Sequence, residues 1–130
     1  MMDNIISLIH RTNKKNYNKI IKDEYLLPHK SITGNGVYLT IKINENQVEK
    51  QPLINYGDYE ITIDKSILFN RSDYIIRNMY YNKKTYFVSK KIIFDAHKDS
   101  KTKLEKKLKS LVLLNEIVFD NEISLNKYIF

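Results

Sequence analysis

Apolar and polar positions alternate with period two from Val37 to Ile43, with Val37, Leu39, Ile41 and Ile43 on one side and Tyr38, Thr40 and Lys42 on the other. That period predicts a half-buried strand, with Tyr38 pointing away from the core-building face. Tyr59, Ile61 and Ile63 alternate with Glu60, Thr62 and Asp64 in the same way. Asn4 to Thr12 is rich in Ile and Leu and reads as a buried strand on which Ile6, Leu8, His10 and Thr12 share a face. His10 is thus a polar residue on an apolar face. In the last strong strand, Leu111 to Phe119, Glu116 shares a face with Val112, Leu114 and Val118 and is an acid among apolar neighbours.

Two segments carry the helical period instead. Tyr17, Ile20, Ile21 and Tyr25 recur at helical spacing after Thr12, a residue suited to capping, and Pro28 ends the pattern. Asp99 to Ser110 carries Leu104 and Leu108 four apart among lysines, with Ser100 as a cap, and reads as a basic amphipathic helix. Between these landmarks, Asn44 to Asn55 is loop or weak helix, Gly57-Asp58 is a turn, and Ile67 to Ile76 is a turn with a short helix or strand. Thr85 to Val88 and Lys91 to Phe94 read as two short strands. Strands and helices in this order make an α+β chain.

A length of 130 residues suits one core, and no Ser/Gly-rich linker or internal repeat divides the chain, so 1–130 is read as a single domain. The charge of +7 favours an anionic partner, but Asn, Lys, Ile and Tyr make up roughly half of the residues and all have A/T-rich codons, so part of that charge reflects coding bias. The lack of cysteine excludes disulfides, thiolate metal sites and a cysteine nucleophile. His29 and His97 have no partners at metal-ligand spacing and read as surface residues, so no metal is expected. Met1 to Ile9 lacks the basic start and cleavage site of a secretory leader, and the longest apolar run, Leu111 to Leu114, is far too short for a membrane span. These features lead us to expect a monomer in the cytoplasm with no membrane partner.

Three short segments each place one polar residue on a strand: Leu8-Ile-His-Arg-Thr12, Gly34-Asn-Gly-Val-Tyr-Leu-Thr40 and Asn115-Glu-Ile-Val-Phe-Asp120. Their order resembles the ADP-ribosyltransferases of the diphtheria toxin and poly(ADP-ribose) polymerase type. That family presents a His-x-Ser/Thr strand, a helix, a Gly-x-Gly-(Ile/Val)-Tyr strand and a late strand with Glu near its start. The resemblance implies a split β-sandwich of two small, mostly antiparallel sheets with an N-terminal helix and a basic C-terminal helix. It also implies NAD as co-substrate and transfer of one ADP-ribosyl unit to a protein or nucleic-acid acceptor.

Residue by residue, the resemblance implies that His10 binds a ribose hydroxyl of the adenosine half of NAD, that backbone groups at Arg11 hold the nicotinamide amide, and that Thr12 supplies a hydroxyl nearby. Gly36 belongs to the cofactor strand, and Tyr38 would stack on the nicotinamide. Glu116 would be the catalytic carboxylate, holding the nicotinamide-ribose hydroxyl and stabilising the positive charge that grows as the glycosidic bond breaks. Arg11 departs from the pattern, standing where many relatives carry glycine, and Tyr56 is the nearest candidate for a second stacking ring. A competing reading is a non-enzymatic basic module that meets an anionic partner through Lys98 to Lys109. A third, removal of an RNA phosphate, would need several arginines around the cleft, and the chain has only Arg11, Arg71 and Arg77.

Overall fold

A computed structural model of the chain describes residues 7–31, 34–42, 57–82, 86–111 and 115–128. The elements that place the cleft are β1 (Ser7–Thr12), α1 (Lys14–Asp23), β2 (Tyr25–Leu26), β3 (His29–Ser31), β4 (Gly34–Lys42) and β5 (Tyr59–Ile63). They are followed by α2 (Ile67–Asn70), β6 (Tyr74–Asn82), β7 (Tyr86–Asp95), α3 (Lys101–Leu108), β8 (Asn115–Phe119), β9 (Ile123–Ser124) and α4 (Leu125–Tyr128). The chain is α+β, as its patterning predicts.

The strands, however, form one seven-stranded antiparallel sheet rather than two small ones. Its order is β5-β1-β4-β8-β6-β7, with β3 added against β4, while β2 and β9 make a separate two-stranded ribbon. The difference arises at β8, which pairs with β4 on one side and β6 on the other and so joins what would have been two halves.

Register separates the two faces. Leu8 opposes Ile41 and Ile63, and Leu39 opposes Ile117, which opposes Ile76. These residues are buried and form the core with Tyr74, Phe94 and Phe119 beneath Leu104 and Leu108 of α3. Tyr74 also donates its hydroxyl to the Leu68 carbonyl at 2.6 Å, and burial pushes that hydroxyl well above its ordinary pKa. Tyr74→Phe strands the carbonyl in the core, so a denaturant titration should show a loss of about 1 kcal/mol. An unchanged midpoint would mean that water reaches Leu68.

Local signals explain most element ends, with three corrections. Asn13, not Thr12, caps α1, its side chain accepting from the Asn16 amide at 2.8 Å. The helix stops at Asp23 because Glu24 turns left-handed at φ 66°, well before Pro28, and Tyr25 lies in β2. The pattern predicts separate strands over Thr85 to Val88 and Lys91 to Phe94, yet Tyr86 to Asp95 is one strand, with register shifts against β6 on both sides of Arg77. Ser100 does cap α3, accepting from the Lys103 amide. Asn4 to Ile6, Ile43, Asn44 to Asn55, Tyr56, Thr85 and Val112 to Leu114 lie outside the described residues.

The far end of β8 is held by two clamps. Arg71 makes two bonds to Asp73, at 2.8 and 2.6 Å, and lies over the Phe119 ring. His97 is exposed, as the sequence suggests, yet it bridges Asp95 through Nδ1 at 2.8 Å and Asp120 through Nε2 at 2.7 Å. Hydrogen bonds to the two carboxylates raise its pKa. Because the folded state favours the protonated ring, its contribution is complete below the ordinary histidine value of about 6.5 and fades as pH rises through the elevated folded value. We therefore expect a proton NMR titration midpoint above that of a free histidine. The stability gap between native protein and His97→Ala should be wider at mildly acid than at alkaline pH, and modest throughout because the ring is half exposed. A pH-independent gap would show that the ring acts by packing alone.

Candidate functional site

The face opposite the core carries the unusual residues. Thr62, Ile9, Thr40, Glu116 and Arg77 lie side by side across β5, β1, β4, β8 and β6, each opposing the next in the ladder. Tyr38 lies one row away on β4, opposite Val118. Above this face, α1 and the segment Tyr25 to His29 form the other wall of a cleft of about 490 Å³. His10, Arg11, Thr12, Tyr38 and Glu116 all line it, together with Lys19, Asp23 and His29. Its volume falls within the range of about 300–1,000 Å³ typical of small-molecule sites.

Three segments distant in the chain are thus brought together, and the sheet itself explains how. Ladder pairing of β1 with β4 runs as far as Ile9 opposite Thr40, whereas β1 stays paired with β5 through Thr12. At His10 the imidazole fills the opening between β1 and β4, with Nδ1 3.0 Å from the Tyr38 carbonyl. A carbonyl can only accept, so Nδ1 carries the proton and Nε2 is the acceptor of the neutral ring. Burial, the largest influence, lowers the His10 pKa, and a nearby His29 adds to the effect. The ring is therefore neutral at physiological pH.

Glu116 is only 2 % exposed, so its strand is covered on both faces and the acid does not sit at a solvated strand end. Its Oε1 accepts from Arg77 Nη2 at 2.6 Å. Burial pushes the carboxyl up from the ordinary glutamate range, while the charge and hydrogen bond of Arg77 pull it back. Tyr38 donates its hydroxyl to the Gly34 carbonyl at 2.5 Å, which fixes the ring. The Arg77 guanidinium lies 5.7 Å from the centre of that ring, and the His29 ring 5.8 Å away.

The remaining residues named from the sequence have different roles. Arg11 lines the cleft, but its guanidinium is bonded to Glu60, its cross-strand neighbour, at 2.9 Å. That pairing holds the bulky cation along the sheet. Thr12 is buried in the wall, and its carbonyl is covered by Gly57, where a Cβ would approach to 2.2 Å. Gly36 does not line the cleft. A Cβ there would stand 2.6 Å from Val118 and 2.8 Å from the Phe119 carbonyl, so this glycine serves the close approach of β4 to β8.

Two cleft features escaped the sequence reading. His29, taken as a surface residue, is exposed but forms part of the wall, because β3 folds back on β4 and sets it opposite Gly36. Arg77 was not singled out at all. An arginine directly after Tyr74-Ile-Ile76 was the available signal, weakened by the polar Asn78 beside it. Among the described residues no group of three or more potential metal ligands occurs, and no helix is long and apolar enough to cross a membrane. No protein-family model, curated protein or solved structure matches the chain.

Proposed function

We propose that the cleft binds NAD and that the protein is a mono-ADP-ribosyltransferase of the diphtheria toxin and poly(ADP-ribose) polymerase type. The observation that carries this reading is the convergence of His10, Tyr38 and Glu116, from β1, β4 and β8, on a single cleft. A neutral His10 with Nε2 as acceptor suits a ribose hydroxyl. A tyrosine ring tethered by its own hydroxyl offers a flat face for nicotinamide. A buried carboxylate, bonded through one oxygen to Arg77, suits the cation that forms at the anomeric carbon.

In this reaction the bond from the anomeric carbon to the nicotinamide nitrogen breaks, and nicotinamide leaves with the bonding electron pair. Glu116 faces the positive charge left on the ribose. A nucleophilic atom of the acceptor then bonds to that carbon and gives up its proton to water. Each of the three arginines is already bonded to a carboxylate, Arg11 to Glu60, Arg71 to Asp73 and Arg77 to Glu116. That commitment favours glycosyl transfer over a reading that needs an arginine clamp on phosphate. The net positive charge favours an acidic protein or a nucleic acid as acceptor.

Calorimetric titration with NAD tests the binding step. The native chain should bind saturably, and Tyr38→Leu should weaken binding about tenfold, which is ~1.4 kcal/mol and the upper range for an aromatic stack. His10→Ala should weaken it as well. A folded native chain that takes up no NAD would remove the reading.

A further inference from the structure

The residue that most constrains the acid of this cleft is on β6, outside all three sequence segments. Arg77 opposes Glu116 in the ladder, donates to its Oε1 at 2.6 Å and lies 5.7 Å from the centre of the Tyr38 ring. Both partners are secluded, with side-chain exposures of 11 % for Arg77 and 3 % for Glu116. A buried carboxylate with no cation beside it tends to take up a proton. One held by a planar guanidinium is fixed in direction as well as in charge.

We propose that Arg77 is the positioning residue of the cleft: its guanidinium fixes one oxygen of Glu116 and braces the face of Tyr38, so that a single cation on β6 sets both the acid and the aromatic wall. The other ionisable groups along the cleft do not replace it. Lys19 and Asp23 of α1 pair with each other at 3.3 Å, Arg11 pairs with Glu60, and neutral His10 bonds the Tyr38 carbonyl. His29 of β3 faces Tyr38. On β4, Thr40 and Tyr38 bring no charge to the acid.

The role of Arg77 rests on the geometry of the pair, while its effect on turnover rests on the reading of the cleft as an NAD site. Two readouts keep these apart. The first is a carbon-13 NMR titration of the Glu116 carboxyl in native protein, Arg77→Lys and Arg77→Met. Arg77→Met should move the midpoint upward, and Arg77→Lys, which restores charge without the planar fork, should bring it back toward native. An unmoved midpoint in folded Arg77→Met overturns the proposal.

Should Arg77→Met fail to fold, the double variant Arg77→Met/Glu116→Gln decides. Recovery of folding shows that Arg77 is needed because of Glu116. Failure of the double variant as well shows that the fold needs Arg77 independently, and overturns the proposal. The second readout is nicotinamide release from NAD, where Arg77→Lys should lower kcat on the order of 10²-fold with KM little changed, since charge survives but direction is lost. Native turnover matched by Arg77→Lys overturns the positioning role. A native chain that shifts as expected in the titration yet releases no nicotinamide leaves Arg77 as positioner and removes NAD cleavage from the cleft.

Discussion

Glu116→Gln should lower nicotinamide release from NAD on the order of 10²-fold or more while the protein stays folded. Gln keeps the size of the side chain and an oxygen for Arg77 Nη2, so the 2.6 Å contact survives as a weaker neutral-acceptor bond. It removes the negative charge. That charge lies in a secluded site where interactions with a developing cation are far stronger than in water. NAD affinity should change much less than rate, because positive charge moves from the nicotinamide ring onto the ribose only in the transition state.

The pH profile gives an independent check. The proposed reaction needs Glu116 ionised, and burial raises its pKa, so the rate should climb as pH rises through a midpoint above the ordinary glutamate range and then level off. An acid limb at the ordinary carboxylate position would show that Glu116 is more solvated in the working protein.

The second large effect concerns stability. Gly57→Ala should destabilise the fold by about 3 kcal/mol or more. Gly57 has φ of +140°, a region where a side chain brings strain of about 1–3 kcal/mol. The added carbon would also stand 2.2 Å from the Thr12 carbonyl oxygen and 2.8 Å from the Asn13 nitrogen. Both are backbone atoms at the junction of β1 with α1, so the overlap adds about 1–3 kcal/mol of overpacking. Thr12 lines the cleft and Asn13 caps α1, so NAD affinity should fall along with the denaturation midpoint. A variant of native stability would mean that the turn before β5 can move away from Thr12.

Three residues that the sequence singles out line one cleft, whereas the sheet that brings them there was harder to read. His10 and Glu116 were visible because strand alternation made a polar residue conspicuous among apolar ones, Tyr38 because Gly34-Asn-Gly36 precedes it, and all three line the cleft. Periodicity reports which face a residue takes on its own strand, but it carries no information about which strands become neighbours. The pairing of β8 with both β4 and β6 was therefore not legible, and the expected pair of small sheets gave way to a single large one.

Arg77 was missed for the same reason, since its importance comes from lying opposite Glu116. The opening of the ladder at His10 also depends on tertiary structure. Alternation alone sets His10 on one face with Leu8 and Thr12, whereas its ring bonds the Tyr38 carbonyl at the cleft. Gly36 was read as part of the cofactor site because it precedes Tyr38, yet it is demanded by the contact of β4 with Val118 and Phe119. The Ser100 cap was legible even beside Asp99. The cap of α1 was not, where Thr12 and Asn13 competed, because β1 pairing extends through Thr12 and leaves the next residue to start the helix.

The most direct test of the central claim is to incubate the native chain with NAD labelled in the nicotinamide ring and count free nicotinamide, beside Glu116→Gln. Release by the native chain that falls on the order of 10²-fold in the variant is the result expected of a cleft whose chemistry rests on this carboxylate. Equal release from both, or none from a folded native chain, would contradict it.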